Sequence, residues 1–302
     1  MSVSWRPSAN RDRLRQRAAL FAVVREFFAA RDVLEVDTPA LVRRGVTDVN
    51  LATVTAQLGA EELFLHTSPE YAMKRLLAAG SGAIYQMGKA FRNGERGTRH
   101  NPEFTMLEWY RPGFTLTQLM DEVEALVFHA LQLTTAPAMQ RVSYRQLFVE
   151  QLGIDPHLIT LDPLKALTVG KTGVDPSVLN SRATCLDLLY GHLIEPALIE
   201  PVFVYHYPAE QAALARVVND SQGQPVALRF ELVMHGMEIA NGYDELCDAA
   251  EQARRFDADR ESRRQQQLPD IAADQRLLAA LTHGMPACAG VALGVDRLLM
   301  LK

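Results

Sequence analysis

Two strand-like runs, Ala83 to Asn93 and Glu103 to Arg111, enclose a turn that carries Arg92, Arg96, Arg99 and His100. A hairpin of this length commits the chain to antiparallel sheet and fixes a cluster of cations at one place. Such convergence suits a polyanion such as ATP. The returning strand, Glu103-Phe-Thr-Met-Leu-Glu-Trp-Tyr110, alternates, so Phe104, Met106, Glu108 and Tyr110 share one face. An aromatic ring suited to stacking and two groups able to accept from an ammonium line up on that surface.

The remaining punctuation places helices among strands. Asn10 to Ala30 has apolar residues at helical spacing, Leu14, Ala18, Phe21 and Phe28. Val33 to Pro39 reads as a short strand that Pro39 stops. Ser68-Pro69-Glu70 reads as a helix start, with Ser68 at the N-cap, and Gly80 ends that helix. Thr117 to Leu131 is amphipathic, and Gly153 to Leu198 reads as short helices joined by loops. Strand signals return at Pro201 to Tyr205, Val226 to Met234 and Met237 to Ala240. Ala249 to Gln267 is dense in charge and reads as a solvated surface helix. The pattern predicts an α+β fold built as one domain over residues 1–302.

With 302 residues, 48% hydrophobic content and a net charge of -5, the chain has the composition of an ordinary soluble domain. That charge argues against a nucleic-acid coat, though it leaves room for a local basic groove. No run approaches the ~18 apolar residues of a membrane span. The opening Met1 to Pro7 lacks the apolar core of a signal peptide. Cys185, Cys247 and Cys288 are odd in number and widely spaced, which fits reducing cytoplasm rather than a disulfide framework or a zinc site.

Three further segments bear chemistry. If Val226 to Ala240 turns at His235-Gly236, Val233 pairs with Glu238, and Glu231 shares the face of Glu238. Diagonal neighbours on such a pair lie ~7–8 Å apart. Two readings fit: the carboxylates hold Mg²⁺ against a polyphosphate, or they face solvent or pair with arginines. Asn241-Gly-Tyr-Asp-Glu-Leu246 is either an Asn-Gly turn with a surface Glu245, or a segment that presents Glu245 as a buried anion for a substrate ammonium. Gly290 and Gly294 flank Val-Ala-Leu ahead of Asp296-Arg297, which suits close approach of a ligand to backbone. Glu70 at a helix start either complements the dipole or serves a ligand.

Together these pieces resemble the class II aminoacyl-tRNA synthetase catalytic domain, most closely its lysyl branch. Val33 to Pro39 is similar to motif 1, Phe91 to Glu108 to motif 2, Gly290 to Arg297 to motif 3, and Met237 to Leu246 to the lysine-pocket segment. The resemblance implies an antiparallel sheet flanked by helices, usually in a homodimer, and it implies ATP and Mg²⁺ as cofactors. Arg92 would hold the α-phosphate, and Phe104 and Arg297 would sandwich adenine. Asn93, Gly94, His100, Asn101, Glu238, Ile239 and Gly294 would complete the nucleotide site. Glu231 and Glu238 would bind the metal. Glu70 would take the backbone-side amine and Tyr110 with Glu245 the distal ammonium. Ser68, Pro69, Asn241, Tyr243 and Ala292 would line the same substrate pocket.

The departures from the family pattern narrow it. About thirty residues precede motif 1, too few for the anticodon-binding barrel of a lysyl-tRNA synthetase. Ala292 and Ser68 stand where the synthetases usually have glycine and alanine. Gly94 stands where an acid is expected, with Glu95 next to it. A short lysine-type core of this kind resembles the ligases that attach (R)-β-lysine to a lysine side chain of elongation factor P. The resemblance implies elongation factor P and lysine or β-lysine as partners, and neither a membrane nor a tRNA. Charging of tRNA without anticodon reading, synthesis of a small-molecule amide and a catalytically inactive regulatory paralogue are the competing readings.

Overall fold

The computed structural model describes residues 5–133 and 138–302, so the first four residues of the N-terminal segment lie outside the description. The Asn10 side chain accepts from the Arg13 amide and starts helix α1 (Arg11–Ala29). The motif 1 segment supplies β1 (Leu34–Glu35). Strands β2 (Leu41–Val42), β3 (Val54–Leu58) and β4 (Glu61–Leu65) follow. Helix α2 (Glu70–Ala78) leads into the long hairpin, β5 (Ile84–Phe91) and β6 (Glu103–Pro112), and then into α3 (Leu116–Leu131). Strand β7 (Gln140–Ser143) opens the helical region of α4 (Tyr144–Leu152), α5 (Leu161–Thr172) and α6 (Arg182–Leu189). Next come β8 (Val202–Pro208), β9 (Val217–Asn219), β10 (Pro225–Val233) and β11 (Glu238–Asp244). The chain closes with α7 (Ala249–Gln265), α8 (Gln275–Gly284), β12 (Cys288–Gly294) and α9 (Val295–Met300).

The main sheet runs β1-β5-β6-β12-β11-β10-β8-β7, with β9 also paired to β10. Its interior is antiparallel, as expected, but both outer pairs, β1 with β5 and β7 with β8, are parallel. The sheet is therefore mixed at its edges, because short connecting strands enter there from helices rather than from hairpins. Three further strands, β2, β4 and β3, form a small separate sheet.

Alternation divides the sheet into two faces. Leu107 and Trp109 of β6, Phe230 and Leu232 of β10, and Val291 and Leu293 of β12 pack with α1 and α3 in one apolar core. Phe104, Met106, Glu108 and Tyr110 turn to the other face and line a large cavity. The burial of Trp109 leaves an indole N–H to satisfy, and Glu122 of α3 accepts it at 3.0 Å.

The β10–β11 pair carries a one-residue irregularity that alternation alone does not anticipate. Val233 faces Glu238 as expected, but the next pair is Leu232 with Ala240 and then Glu231 with Asn241. The bulge puts Ile239 and Ala240 both into the core. Past it, Asn241, Tyr243 and Glu245 join Glu238 on the cavity face. A strict period of two would have sent them to the opposite side. Asn241-Gly242 is accordingly strand and not a turn: Gly242 is pinned because a Cβ there would stand 2.4 Å from the Phe230 ring. The reversal lies at His235-Gly236, where both φ values are positive, 53° and 63°.

Two helix expectations need correction. Helix α2 begins at Glu70 with Pro69 at the N-cap, one position later than Ser68 would set it, although the Ser68 hydroxyl still accepts from the Glu70 amide at 2.9 Å. Helix α7 is not simply solvated: Gln252, Phe256 and Arg263 are buried, and Arg263 donates to the carbonyls of Pro269 and Asp48. Its buried side closes one wall of the cavity.

Candidate active site

The cavity, about 1960 Å³, lies over the centre of the antiparallel sheet, with β6, β12 and β11 as its floor. Ser68, Pro69, Glu70, Arg92, His100, Asn101 and Phe104 line it. So do Tyr110, Glu231, Glu238, Asn241, Tyr243, Glu245, Ala292, Gly294 and Arg297. Ile239 borders it too, but its side chain belongs to the core on the far side. Asn93 and Gly94 do not line it. They form the turn at the rim, where the Asn93 amide donates to the Ala52 carbonyl and Gly94 has φ 81°. A glutamate at position 94 would be strained there. Its neighbour Glu95 lines the cavity and stands 3.5 Å from Arg92.

One end of the cavity is cationic. The Arg92 guanidinium lies over the Phe104 ring, 5.1 Å from its centroid, and its buried Nε has no partner. The mouth of the hairpin is set by the Arg92 amide donating to the Pro102 carbonyl. Arg297 donates to the Glu238 carbonyl and to the His100 ring nitrogen, each at 2.7 Å, so His100 accepts through Nε2. Arg99 donates to the Gly236 carbonyl at 2.7 Å and ties the arginine loop to the β10–β11 turn. Arg92 thus stands against one face of Phe104, while Arg297 spans from the helix start of α9 to the opposite wall.

The carboxylates Glu231 and Glu238 share this end, and each meets an arginine. Arg229 donates to Glu231 at 2.5 Å, and Arg297 approaches Glu238 at 3.4 Å. Burial, partly countered by the Arg229 charge and reinforced by Glu238, pushes the Glu231 carboxyl up to about 7. Among the described residues no three acidic, histidine or cysteine side chains are grouped as a protein-only metal cage. Two carboxylates do fit Mg²⁺, which takes one or two from the protein and the rest of its shell from phosphates and water. Glu231 and Glu238 would hold it. When bound it would supply charge neutralisation at the phosphates.

The other end is acidic and buried. Glu108 accepts from Ser68 at 2.8 Å and from the Tyr110 hydroxyl at 2.6 Å. Glu245 is only 2% exposed, and its Oε1 has no partner. Lys74 stands between Glu70 and Glu245, its Nζ at 2.7 Å and 2.6 Å from them. Gly290 makes this geometry possible, because a Cβ would lie 2.4 Å from the Tyr110 ring and 2.5 Å from Glu245 Oε1. Asn241 Oδ1 is buried without a partner. Ala292 sits between them on the floor, paired with Glu108 on one side and Asn241 on the other. Replacing Ala292→Gly enlarges the floor by one methyl, worth ~1–3 kcal/mol of discrimination. The ratio of affinities for two isomeric diamino ligands is expected to change about fivefold or more. An unchanged ratio in calorimetric titration would remove the floor from the specificity argument.

The family description "tRNA synthetases class II (D, K and N)" matches residues 2–302. The chain belongs to this family. The protein named elongation factor P--(R)-beta-lysine ligase of Pseudoalteromonas translucida (strain TAC 125) is 49% identical, over 100% of this chain and 94% of its own length. Proteins of the same name from Vibrio vulnificus (strain YJ016) and Yersinia enterocolitica serotype O:8 are 48% and 47% identical. They cover 100% and 99% of this chain and 95% and 94% of their own lengths.

Within this synthetase domain, several residues escaped the sequence reading. Arg17 of α1 donates to Asp296 at 2.5 Å and also to Thr105, whose amide donates to Asp296 at 2.7 Å. That knot joins motifs 2 and 3 to the first helix and so aims Arg297. The only hint in the sequence was Arg17 among the polar positions of a helix with an apolar stripe. Lys74 carried a clearer signal, since it falls four residues after Glu70 and beside the buried Met73 and Leu77.

The acid cup also gives the synthetase domain a pH signature. Burial first, then the Glu70 charge, pushes Glu108 up to about 7. Burial, opposed by Lys74, pushes Glu245 up to about 8. Both carboxyls are raised, so the negative charge of the cup keeps growing at a pH where exposed glutamates are already fully ionised. An ammonium ligand binds the ionised form. The KM for a diamino ligand is therefore expected to fall roughly fivefold or more from pH 7 to pH 8, with a smaller change of about twofold in the KM for ATP as Glu231 completes its ionisation. A lysine KM that does not move between pH 6 and 8.5 would contradict the assignment.

Proposed function

We propose that this chain is an ATP-dependent ligase that activates (R)-β-lysine, or lysine, as an acyl-adenylate and transfers it to a lysine side chain of elongation factor P. The observation that carries this reading is one cavity with guanidinium groups at one end and a buried acid cup at the other. The relatives' shared name points to the same substrate pair. In the first step a carboxylate oxygen of the amino acid attacks the α-phosphorus, and pyrophosphate leaves. Arg92 and Arg297 stabilise charge that grows on the phosphates, and Phe104 offers a face to the adenine. In the second step the deprotonated acceptor amine attacks the acyl carbon, an amide forms and AMP leaves. Positioning alone can contribute ~7–11 kcal/mol to such a transfer, so no side-chain nucleophile is required.

Binding of Mg²⁺ by Glu231 and Glu238 belongs to the same reading. So do a cytoplasmic setting and a homodimer. Among the described residues no helix is long and apolar enough to cross a membrane. The two-residue strand β1 forms an edge of the main sheet with Leu34 59% exposed, a surface that a second copy would cover. The test is to incubate the protein with ATP and a panel of lysine isomers, with and without elongation factor P, and weigh the products. A mass gain on elongation factor P equal to the amino acid less water is expected. Label transferred to tRNA instead would replace this reading with a synthetase that lacks anticodon recognition.

A further inference from the structure

Lys74 is the cation that pairs with two carboxylates of the acid cup, and the proposed function gives it no task. It is 1% exposed, on the buried face of α2 with Met73 and Leu77. Its Nζ contacts one oxygen of Glu70, one turn earlier on the same helix, and Oε2 of Glu245, which arrives at the end of β11. A lysine is not placed this deep for burial, because an ammonium without partners is costly there. Nor is it needed to fill apolar space between Met73 and Leu77, since methionine would do that without a charge.

The count of charges gives it a purpose. Glu70, Glu108 and Glu245 face the cavity, and Lys74 opposes them. Three carboxylates against one ammonium leave two negative charges when all are ionised. A diamino acid brings two ammonium groups. The contacts are divided to match: Lys74 takes Oε2 of Glu245 and leaves Oε1, which lies over Gly290 with no partner. Glu108 is held in place by Ser68 and Tyr110, not by Lys74. Without the lysine, Glu70 and Glu245 would repel each other across the cup, and three buried carboxylates would have to share two ligand charges.

We propose that Lys74 is a positioning residue that sets specificity for a diamino acid. It braces Glu70 and Glu245 at a fixed separation and trims the cup to the charge of two ammonium groups. This rests on the reading of the cavity as an amino-acid-activating site. The residue acts through the two carboxylates, so its removal acts on amino-acid binding and not on ATP.

Pyrophosphate exchange is measured for the wild type, Lys74→Met, Lys74→Gln and Lys74→Ala, titrating amino acid and ATP separately. Lys74→Met keeps length and loses charge. It is expected to raise the KM for the diamino acid about 100-fold, with the KM for ATP within about threefold. Lys74→Ala leaves room for a three-carbon ammonium. Propylamine at roughly 50 mM is expected to restore at least about tenfold of the lost amino-acid affinity. Should the methionine variant not fold, Lys74→Gln still offers donors to both carboxylates and carries the test, with a rise of about tenfold or more expected. An unchanged amino-acid KM in the folded variant, or equal losses for ATP and amino acid with no rescue by propylamine, overturns the proposal. A wild type that exchanges with no lysine isomer fails differently: it overturns the activating function itself.

Discussion

Arg92→Ala is expected to lower the rate of amino-acid activation about 100- to 1000-fold, the cost of removing one preorganised group aimed at developing charge. The guanidinium lies over Phe104, its Nε is buried and unpartnered, and its contact with Glu95 is long, at 3.5 Å. These features describe a cation held in place with donors to spare. Because the charge it opposes grows in the transition state, kcat falls while the KM values change little. Arg92→Lys would recover only part of the rate, since an ammonium cannot reproduce the planar fork. Pre-steady-state pyrophosphate release checks both variants. An Arg92→Ala enzyme within about threefold of the wild-type rate would show that the phosphates bind elsewhere.

Glu245→Gln is expected to raise the KM for a lysine-type substrate about 100- to 1000-fold and to leave the KM for ATP within about threefold. The substitution keeps the shape and removes the charge from a group that is 2% exposed. Two losses combine. The ligand ammonium loses its buried anion, and Lys74 loses one of its two partners. The raised carboxyl of Glu245 is also removed, so the pH dependence of amino-acid binding should shift toward that of Glu108 alone, near pH 7. Calorimetric titration of the amino acid at two pH values would show this. Wild-type affinity in Glu245→Gln would move the distal ammonium away from this cup.

Much of the architecture was legible because it rests on local periodicity. The hairpin of β5 and β6 follows from alternation, and its register keeps Phe104, Met106, Glu108 and Tyr110 on the cavity side through all four positions. Helices α1 and α3 follow from their apolar stripes and caps. The bulge at Ile239 and Ala240 was not legible, because one inserted residue leaves no mark on composition and reverses every side chain beyond it. Of the two readings open for Asn241-Gly242, turn or ligand-facing segment, the sequence could not choose, for a related reason. The glycine is required by the nearby Phe230 ring, a contact from the neighbouring strand. The expectation of a solvated α7 failed because three buried residues among many charges are a weak stripe.

The candidate site divides along the same line. Arg92, Phe104, Glu108 and Tyr110 lie within twenty residues of one another, so strand geometry alone brought them to one face. Glu70, Glu245 and Lys74 are gathered from a helix and a distant strand end, and only the packing of α2 against the sheet could show that an ammonium already stands between the two acids. From the order of residues came the chemical identity of each group and the local period that faces it inward. The folded chain decided which of those groups meet, because contacts between distant segments depend on register, bulges and burial, none of which is written in any short stretch of sequence.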